Sequence, residues 1–149
     1  VHKEITGDSL RSLFSVVTQD AQIFNGTIRD NIAYGKLGAT DDEILAAARA
    51  AELPALVDEW RALVISRKRE RQPDQLKLIL SQIGDIPGSN RPAELSLWVA
   101  ALINPIPALG VAYEIRPAIL CAPTTGHMVR IASQGIKLSI NSLRDGPQI

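Results

Sequence analysis

An uncharged stretch from Leu95 to Tyr113 sets the tightest limit on what this chain can fold into. Its length touches the lower limit for a helix that crosses a membrane. Asn104-Pro105-Ile106-Pro107 interrupts it in the middle, and the two prolines remove backbone donors and stop a continuous helix. We therefore predict two short buried helices here in place of a membrane span, with Trp98 on the buried face.

Other local patterns mark where helices begin and end. Thr40-Asp41-Asp42-Glu43 is typical of a capping box, and it predicts a helix that runs to about Leu53, before Pro54. Apolar spacing predicts a second helix from residue 74 to 83, which stops at Gly84 because glycine readily adopts the left-handed conformation.

The remaining helices follow from similar signals. Pro92 is well placed to open a helix, since its missing N–H is not needed in the first turn. Apolar residues between Thr125 and Leu143 recur at i, i+3 and i+4 and form one stripe, which predicts a last helix. Only one short strand, Ser15 to Thr18, is expected. The predicted fold class is mainly α, with α+β as an open alternative.

Composition and charge exclude several kinds of partner. The chain is 46% apolar and 21% charged, which fits a globular protein. Lys and Arg total 16 and so do Asp and Glu, so the net charge is zero and we expect no nucleic-acid partner. Near neutrality also makes self-association easier. Cys121, within an apolar run, is predicted to be a small core residue. His127 has no second ligand at metal spacing, which predicts a surface or capping role and no metal site.

The segment from Val16 to Gly35 carries most of the functional information. A β-branched run opens it, Thr18-Gln19-Asp20 breaks that run, and apolar residues then recur at helical spacing. That order predicts a strand, a loop and a helix.

This segment resembles the Q-loop region of an ABC-transporter ATPase, and the resemblance extends over about residues 5–53. In that family the loop glutamine reaches the magnesium ion and the attacking water beside the γ-phosphate, which implies this cofactor-binding role for Gln19. The helical segment that follows contacts the membrane domain. The resemblance therefore implies that Phe24, Thr27 and Ile28 lie near the contact with a transmembrane partner.

Motifs that would complete an ATP site do not occur in this sequence. A P-loop needs a glycine-rich turn that ends in Gly-Lys-Ser/Thr, because backbone N–H groups, the lysine and the hydroxyl hold the phosphates and magnesium together. The chain has no such turn, no Leu-Ser-Gly-Gly-Gln motif and no apolar strand ending in Asp-Glu. We interpret the chain as a non-catalytic fragment of an ABC ATP-binding domain, which in the intact family couples ATP binding to membrane transport. ATP and magnesium serve the intact family, whereas no cofactor and no catalytic residue are expected in the chain alone.

A charge run, Arg67-Lys68-Arg69-Glu70-Arg71, marks a change of character. Because no aromatic residues interleave these charges, we interpret the run as a solvated helix end or linker. The predicted organisation is an ABC-like fragment at 1–57, a charged linker at 58–73 and a helical segment at 74–149. The chain is thus predicted to be two partial domains joined.

Residues 75–143 resemble the helical end of the substrate-binding domain of Lon proteases. The likeness rests on Leu95-Ser96-Leu97-Trp98-Val99-Ala100-Ala101-Leu102 and on Arg130-Ile131 in a long helix. It implies a protein or peptide ligand, with Trp98 as a contact residue, and the Ser-Lys pair of that family belongs to another domain. This alternative function stays open, as does a structural helical domain without a ligand. We expect an intracellular location, cytoplasmic or organellar, with membrane association only through a partner.

Overall fold

A computed structural model describes residues 23–106 and 112–145 of the chain. Its described helices, in chain order, are α1 (Ile28–Ala33), α2 (Asp41–Ser66), α3 (Gln75–Ile83), α4 (Pro92–Ile103), α5 (Ala112–Leu120) and α6 (Thr125–Asp145). Within these residues there is no strand, so the prediction of a mainly α fold is confirmed. The strand predicted at Ser15 to Thr18 lies outside the described residues. The chain divides into two compact units, an N-terminal unit (Val1–Ala39) and a C-terminal unit (Thr40–Ile149).

Helix α2 begins as the capping box predicts but ends later than expected. The Thr40 hydroxyl accepts from the Glu43 N–H, and the Glu43 carboxylate accepts from the Thr40 N–H at 2.9 Å. The prediction of an end near Leu53 was wrong, because α2 continues through Pro54 to Ser66. A proline inside a helix costs about 3 kcal/mol. Burial of the apolar side chains that follow it offsets this cost, and these are Val57, Trp60 and Val64.

The end of α2 lies inside the predicted linker at 58–73. Residues 58–66 of that linker are helical, and the boundary between the two compact units falls at residues 39 and 40. After Ser66 the chain turns through Lys68, whose φ is 49°, and the Arg69 N–H donates to the Val64 carbonyl at 3.0 Å. The division of the chain into family-like parts stays a prediction.

The core of the C-terminal unit forms where α2 and α4 to α6 pack together. Trp60 of α2 is fully buried, and its indole N–H donates to the Ser139 hydroxyl of α6 at 2.6 Å. Gly135 of α6 lets α5 approach closely, since an added Cβ would come within 2.1 Å of Ile115 Cδ1. At the surface, Lys137 of α6 pairs with Glu52 of α2 at 2.8 Å.

The uncharged stretch folds as predicted into parts of two helices. Helix α4 ends at Ile103, before Pro105, and α5 begins at Ala112. Three side chains of α4 are fully buried, namely Leu95, Val99 and Leu102. In the described ranges we find no helix that combines the length and the apolar character needed to cross a membrane.

Two single residues test the sequence predictions closely. Cys121 is exposed in the turn after α5, so the prediction of a core residue was wrong. Helix α5 ends at Leu120, and there Ile119 faces the core whereas Leu120 is 72% exposed. His127 lies half-buried in the first turn of α6, where its backbone N–H donates to the Thr124 hydroxyl at 3.3 Å. Thr124 is therefore the capping residue, and the surface or capping role of the His127 side chain stays a prediction.

Candidate functional site

An exposed apolar surface on the N-terminal unit is the candidate site. We call it the apolar face, and it consists of Ile23, Phe24, Ile28, Ile32 and Tyr34. None of the residues of α1 is buried, and the side chain of Ile28 is 81% exposed. These side chains line an open groove of about 400 Å³. Because the exposed atoms are mostly carbon, the surface is suited to bind an apolar partner.

A capping box of Thr27 and Asp30 fixes the first turn of α1, the helix that carries Ile28 and Ile32. The Thr27 hydroxyl donates to Asp30 Oδ2 at 2.6 Å, and the Asp30 N–H donates back to that hydroxyl at 3.1 Å. The Thr27 N–H also donates to Asp30 Oδ2, at 3.0 Å. The bonds from the Thr27 hydroxyl and N–H stabilise the carboxylate and hold the pKa of Asp30 below its ordinary value, with a smaller contribution from the Arg29 charge. The box sets where α1 begins, and therefore where Ile28 points.

Phe24 lies outside the helix but is tied to it. Its N–H donates to Asn31 Oδ1 at 2.7 Å, and its carbonyl accepts from Asn31 Nδ2 at 3.0 Å. The Phe24 ring stacks on the Tyr34 ring, with centroids 4.3 Å apart and planes 20° apart. Gly26 makes the turn between Phe24 and the helix with a φ of 152°, a backbone conformation that residues with a side chain rarely adopt. The face is therefore a built surface held by polar and aromatic contacts.

The structure brings together three of the residues that the sequence singled out. Phe24 and Ile28 lie on the apolar face, and Thr27 precedes Ile28 as the cap of α1, with its hydroxyl engaged in the capping box. Gln19 lies outside the described residues. Trp98 belongs to the other unit, where it is buried and its indole N–H donates to the Gly84 carbonyl at 3.1 Å. The cofactor-binding role of Gln19 and the contact roles of the other four residues stay predictions.

Sequence reasoning missed Asn31 and Tyr34, which complete the face. An asparagine seven residues after Phe24 could have been read as a candidate, because its amide both donates and accepts. No comparable signal in the sequence points to Tyr34 as the stacking partner of Phe24, since it lies ten positions further along the chain and the Gly26 turn lies between them.

A larger depression on the C-terminal unit, of about 670 Å³, lies where α2, α4 and α6 begin. Its Asp42 carboxylate accepts from the Thr124 hydroxyl at 3.1 Å, and an added Cβ on Gly126 would meet that carboxylate at 2.8 Å. These contacts join the starts of α2 and α6. The polar groups in this depression therefore serve to hold the two helices together.

The described residues contain no recognisable set of ligands for a metal ion and no complete phosphate-binding turn. Among them no group of three His, Cys, Asp or Glu side chains is placed to hold a metal ion. The Gly35-Lys36 pair is followed by Leu37, which has no hydroxyl to bind magnesium.

Comparison with known proteins places this geometry in context. An ABC transporter ATP-binding protein of Bacillus subtilis, YwjA, is 35% identical over 103 residues, which is 69% of this chain and 16% of the relative. The lipid A-core flippase of Desulfotalea psychrophila, described as ATP-dependent, is 46% identical over 57 residues, 38% of this chain and 10% of the relative. These relatives belong to ABC transporters. A multidrug efflux ATP-binding/permease protein of Mycobacterium bovis is 50% identical over 56 residues, 38% of this chain and 5% of its own length.

These matches, each over part of the chain, support the interpretation of the chain as a fragment of an ABC transporter. The chain spans about a sixth or less of the length of these relatives. An alignment over 103 residues necessarily includes residues outside the ABC-like range predicted at 1–57. No family model matches the chain, and no solved structure does. The likeness to Lon proteases stays a prediction.

Proposed function

We propose that this chain is part of an ABC transporter ATP-binding domain and that its apolar face contacts the transmembrane domain of the transporter. The observation that carries the proposal is the exposure of Phe24 and Ile28 in a chain whose relatives are ABC transporter ATP-binding proteins. In this role the chain transmits ATP-dependent changes to a membrane partner and works inside the cell, in the cytoplasm or an organelle. It reaches the membrane through that partner.

Exposure of large apolar side chains supports a binding role. Covering an isoleucine side chain contributes about 1.5–3 kcal/mol relative to leaving it in water. Ile28 is 81% exposed and Ile23 is 84% exposed, so most of this gain is left unused within the chain itself. A partner with an apolar surface can supply it, and contiguous apolar patches commonly mark such contacts.

Order within the face also supports binding. The Phe24 backbone is held by Asn31, and the Phe24 ring is held by the stack on Tyr34. A surface that is already arranged loses less side-chain freedom when it binds, which favours affinity. Aromatic rings of this kind often contribute most of the binding energy at a contact.

A binding measurement tests the contact with the membrane domain. The probe is the permease part of the M. bovis relative, placed in lipid nanodiscs, and empty nanodiscs measure any direct binding to lipid. We expect the 149-residue chain to bind the loaded discs, and Phe24→Ala and Ile28→Ala to weaken binding about tenfold each or more. Leu37→Ala is the matched control, because Leu37 is 94% exposed but does not line the groove.

Two results would contradict the contact. One is an absence of binding by the unmodified chain to the loaded discs. The other is an equal loss of binding in Leu37→Ala and Ile28→Ala, which would show that general apolar exposure accounts for the interaction.

We further propose that the chain alone is non-catalytic and binds no MgATP, although ATP and magnesium act in the intact family. The proposal is supported by the missing Gly-Lys-Ser/Thr turn, without which Gln19 has no phosphate to act beside. Calorimetric titration with MgATP should detect no saturable binding up to millimolar concentration. Micromolar affinity that is lost in Gln19→Ala would overturn the proposal.

A further inference from the structure

The side chain of Asn31 makes an unusual set of bonds for a residue on a short exposed helix. Its Oδ1 accepts the Phe24 N–H at 2.7 Å, and its Nδ2 donates to the Phe24 carbonyl at 3.0 Å and to the Thr27 carbonyl at 2.9 Å. One amide thus satisfies both backbone polar groups of Phe24 and links them to the start of α1. A flipped amide would set donor against donor and oxygen against oxygen, so the three bonds fix its orientation.

The position of Phe24 depends on this link, because the helix itself does not hold that residue. Phe24 lies four residues before Ile28, the first residue of α1, and Gly26 lies between them with its positive φ. A glycine at such a position leaves many backbone conformations open to the residues before it. The Asn31 amide selects the one in which the Phe24 ring reaches Tyr34.

We propose that Asn31 is a positioning residue, which holds Phe24 in the arrangement that the membrane partner binds. This inference rests on the proposed function of the apolar face. Asn31 itself lines the groove, and the role assigned to it here acts through its bonds to the Phe24 backbone. Asparagine suits the role because one short side chain supplies an acceptor for the N–H and donors for the two carbonyls.

Substitution by aspartate separates this role from a role in helix stability. Asn31→Asp has the same shape, and a negative charge close to the N-terminus of a helix is favourable. However, it places a carboxylate oxygen against the carbonyl oxygens of Phe24 and Thr27 and removes both donated bonds. If Asn31 served only the helix, aspartate would replace it without loss.

The first measurement is hydrogen exchange at the Phe24 amide, followed by NMR in the full 149-residue chain. We expect Asn31→Ala to speed this exchange about tenfold, the change that corresponds to loss of one hydrogen bond. Loss of the Phe24–Tyr34 ring contacts should accompany it. Asn25→Ala is the matched control, since Asn25 is an asparagine directly after Phe24 and makes none of the bonds that the half-buried Asn31 makes.

The second measurement is binding to the nanodisc-held permease part used above. Asn31→Asp and Asn31→Ala should each raise the Kd about tenfold, whereas Asn25→Ala should leave it unchanged. The helix signal of α1 in the Asn31→Asp spectrum should remain. Together these results would show that the side chain positions Phe24 and is not needed merely to keep the helix.

Failure of this inference is distinguishable from failure of the proposed function. If the unmodified chain binds the probe and Asn31→Asp binds with the same Kd, the positioning role is wrong and the proposed function stands. If the unmodified chain does not bind, the proposed function is wrong and this inference, which rests on it, falls too. Unchanged Phe24 exchange in Asn31→Ala would also overturn the positioning role, whatever the binding result.

Discussion

Most large apolar side chains of the C-terminal unit that the structure describes form a core, whereas those in the described part of the N-terminal unit are exposed. In the C-terminal unit, Leu53 and Trp60 have no exposed surface. In the described part of the N-terminal unit, Ile28 is 81% exposed and Leu37 is 94% exposed. The same class of side chain thus forms a core in one region and a surface in the other, which indicates that they serve different purposes.

The polar contacts of the two units differ in the same way. Asn31 and Phe24, in the N-terminal unit, are seven residues apart, and Thr27 and Asp30 are three apart. In the C-terminal unit, Trp60 bonds to Ser139 across 79 residues of sequence. Local bonds shape a surface, whereas distant bonds depend on the whole unit being folded. We therefore expect substitutions in the two units to affect different measurements.

The largest expected effect is the loss of Trp60. Trp60→Ala removes a fully buried indole and leaves a cavity, which should lower the free energy of unfolding by about 3–5 kcal/mol. Chemical denaturation followed by the fluorescence of Trp98 measures this. Trp60→Phe is the control that keeps most of the volume, and its smaller loss reports the bond to Ser139. Equal stability in Trp60→Ala and the unmodified chain would contradict the described core.

Two threonine caps allow a direct comparison of the units. Thr40→Ala removes the cap of α2, whose helix carries much of the core, and should lower the free energy of unfolding by about 1 kcal/mol. Thr27→Ala removes the matching cap of α1 and should leave the main unfolding transition unchanged, because no residue of α1 is buried. Thermal unfolding followed by circular dichroism distinguishes them. An equal shift in both variants would show that the units unfold together.

A smaller gain in stability is expected at the turn after α2. Lys68 has a φ of 49°, a conformation that disfavours residues with a Cβ. Lys68→Gly should therefore raise the free energy of unfolding by about 0.5–1 kcal/mol, measured by urea denaturation. Lys68→Ala is the control and should bring no such gain, because alanine retains the Cβ. A loss of stability in Lys68→Gly would contradict the left-handed turn.

The smallest expected effect is a pH dependence confined to the N-terminal unit. The Thr27 bonds lower the pKa of Asp30 below its ordinary value near 3.8. A lowered folded pKa means that the capping box contributes stability above the unfolded pKa and loses that contribution as pH falls through the folded one. NMR titration of the Asp30 carboxyl carbon measures this pKa. Thr27→Ala should move it back upward, and no movement would contradict the capping box.

Local signals in the sequence predicted much of the C-terminal unit. Thr40 and Pro92 begin helices, and Gly84 ends one with a φ of 73°, because each effect depends only on neighbouring backbone groups. The end of α2 could not be predicted in this way. Pro54 is a local helix breaker, and the burial that overrides it depends on packing between distant parts of the chain.

The candidate site was predicted only in part. Resemblance pointed to Phe24, Thr27 and Ile28, all of which lie in one local structure. The link through Asn31 depends on a turn at Gly26 whose backbone angles the sequence does not specify. Exposure was also unpredictable for Cys121, because an apolar run does not show which of its residues lies past the end of a helix.

One measurement tests most directly whether the apolar face binds a partner and is not part of a core. It compares Ile28→Ala with the unmodified chain in two ways, by the midpoint of thermal unfolding and by the Kd for the permease part in nanodiscs. We expect the midpoint to stay the same and the Kd to rise about tenfold, because Ile28 is exposed in the free chain. A midpoint lowered as far as in Trp60→Ala, with an unchanged Kd, would contradict the account.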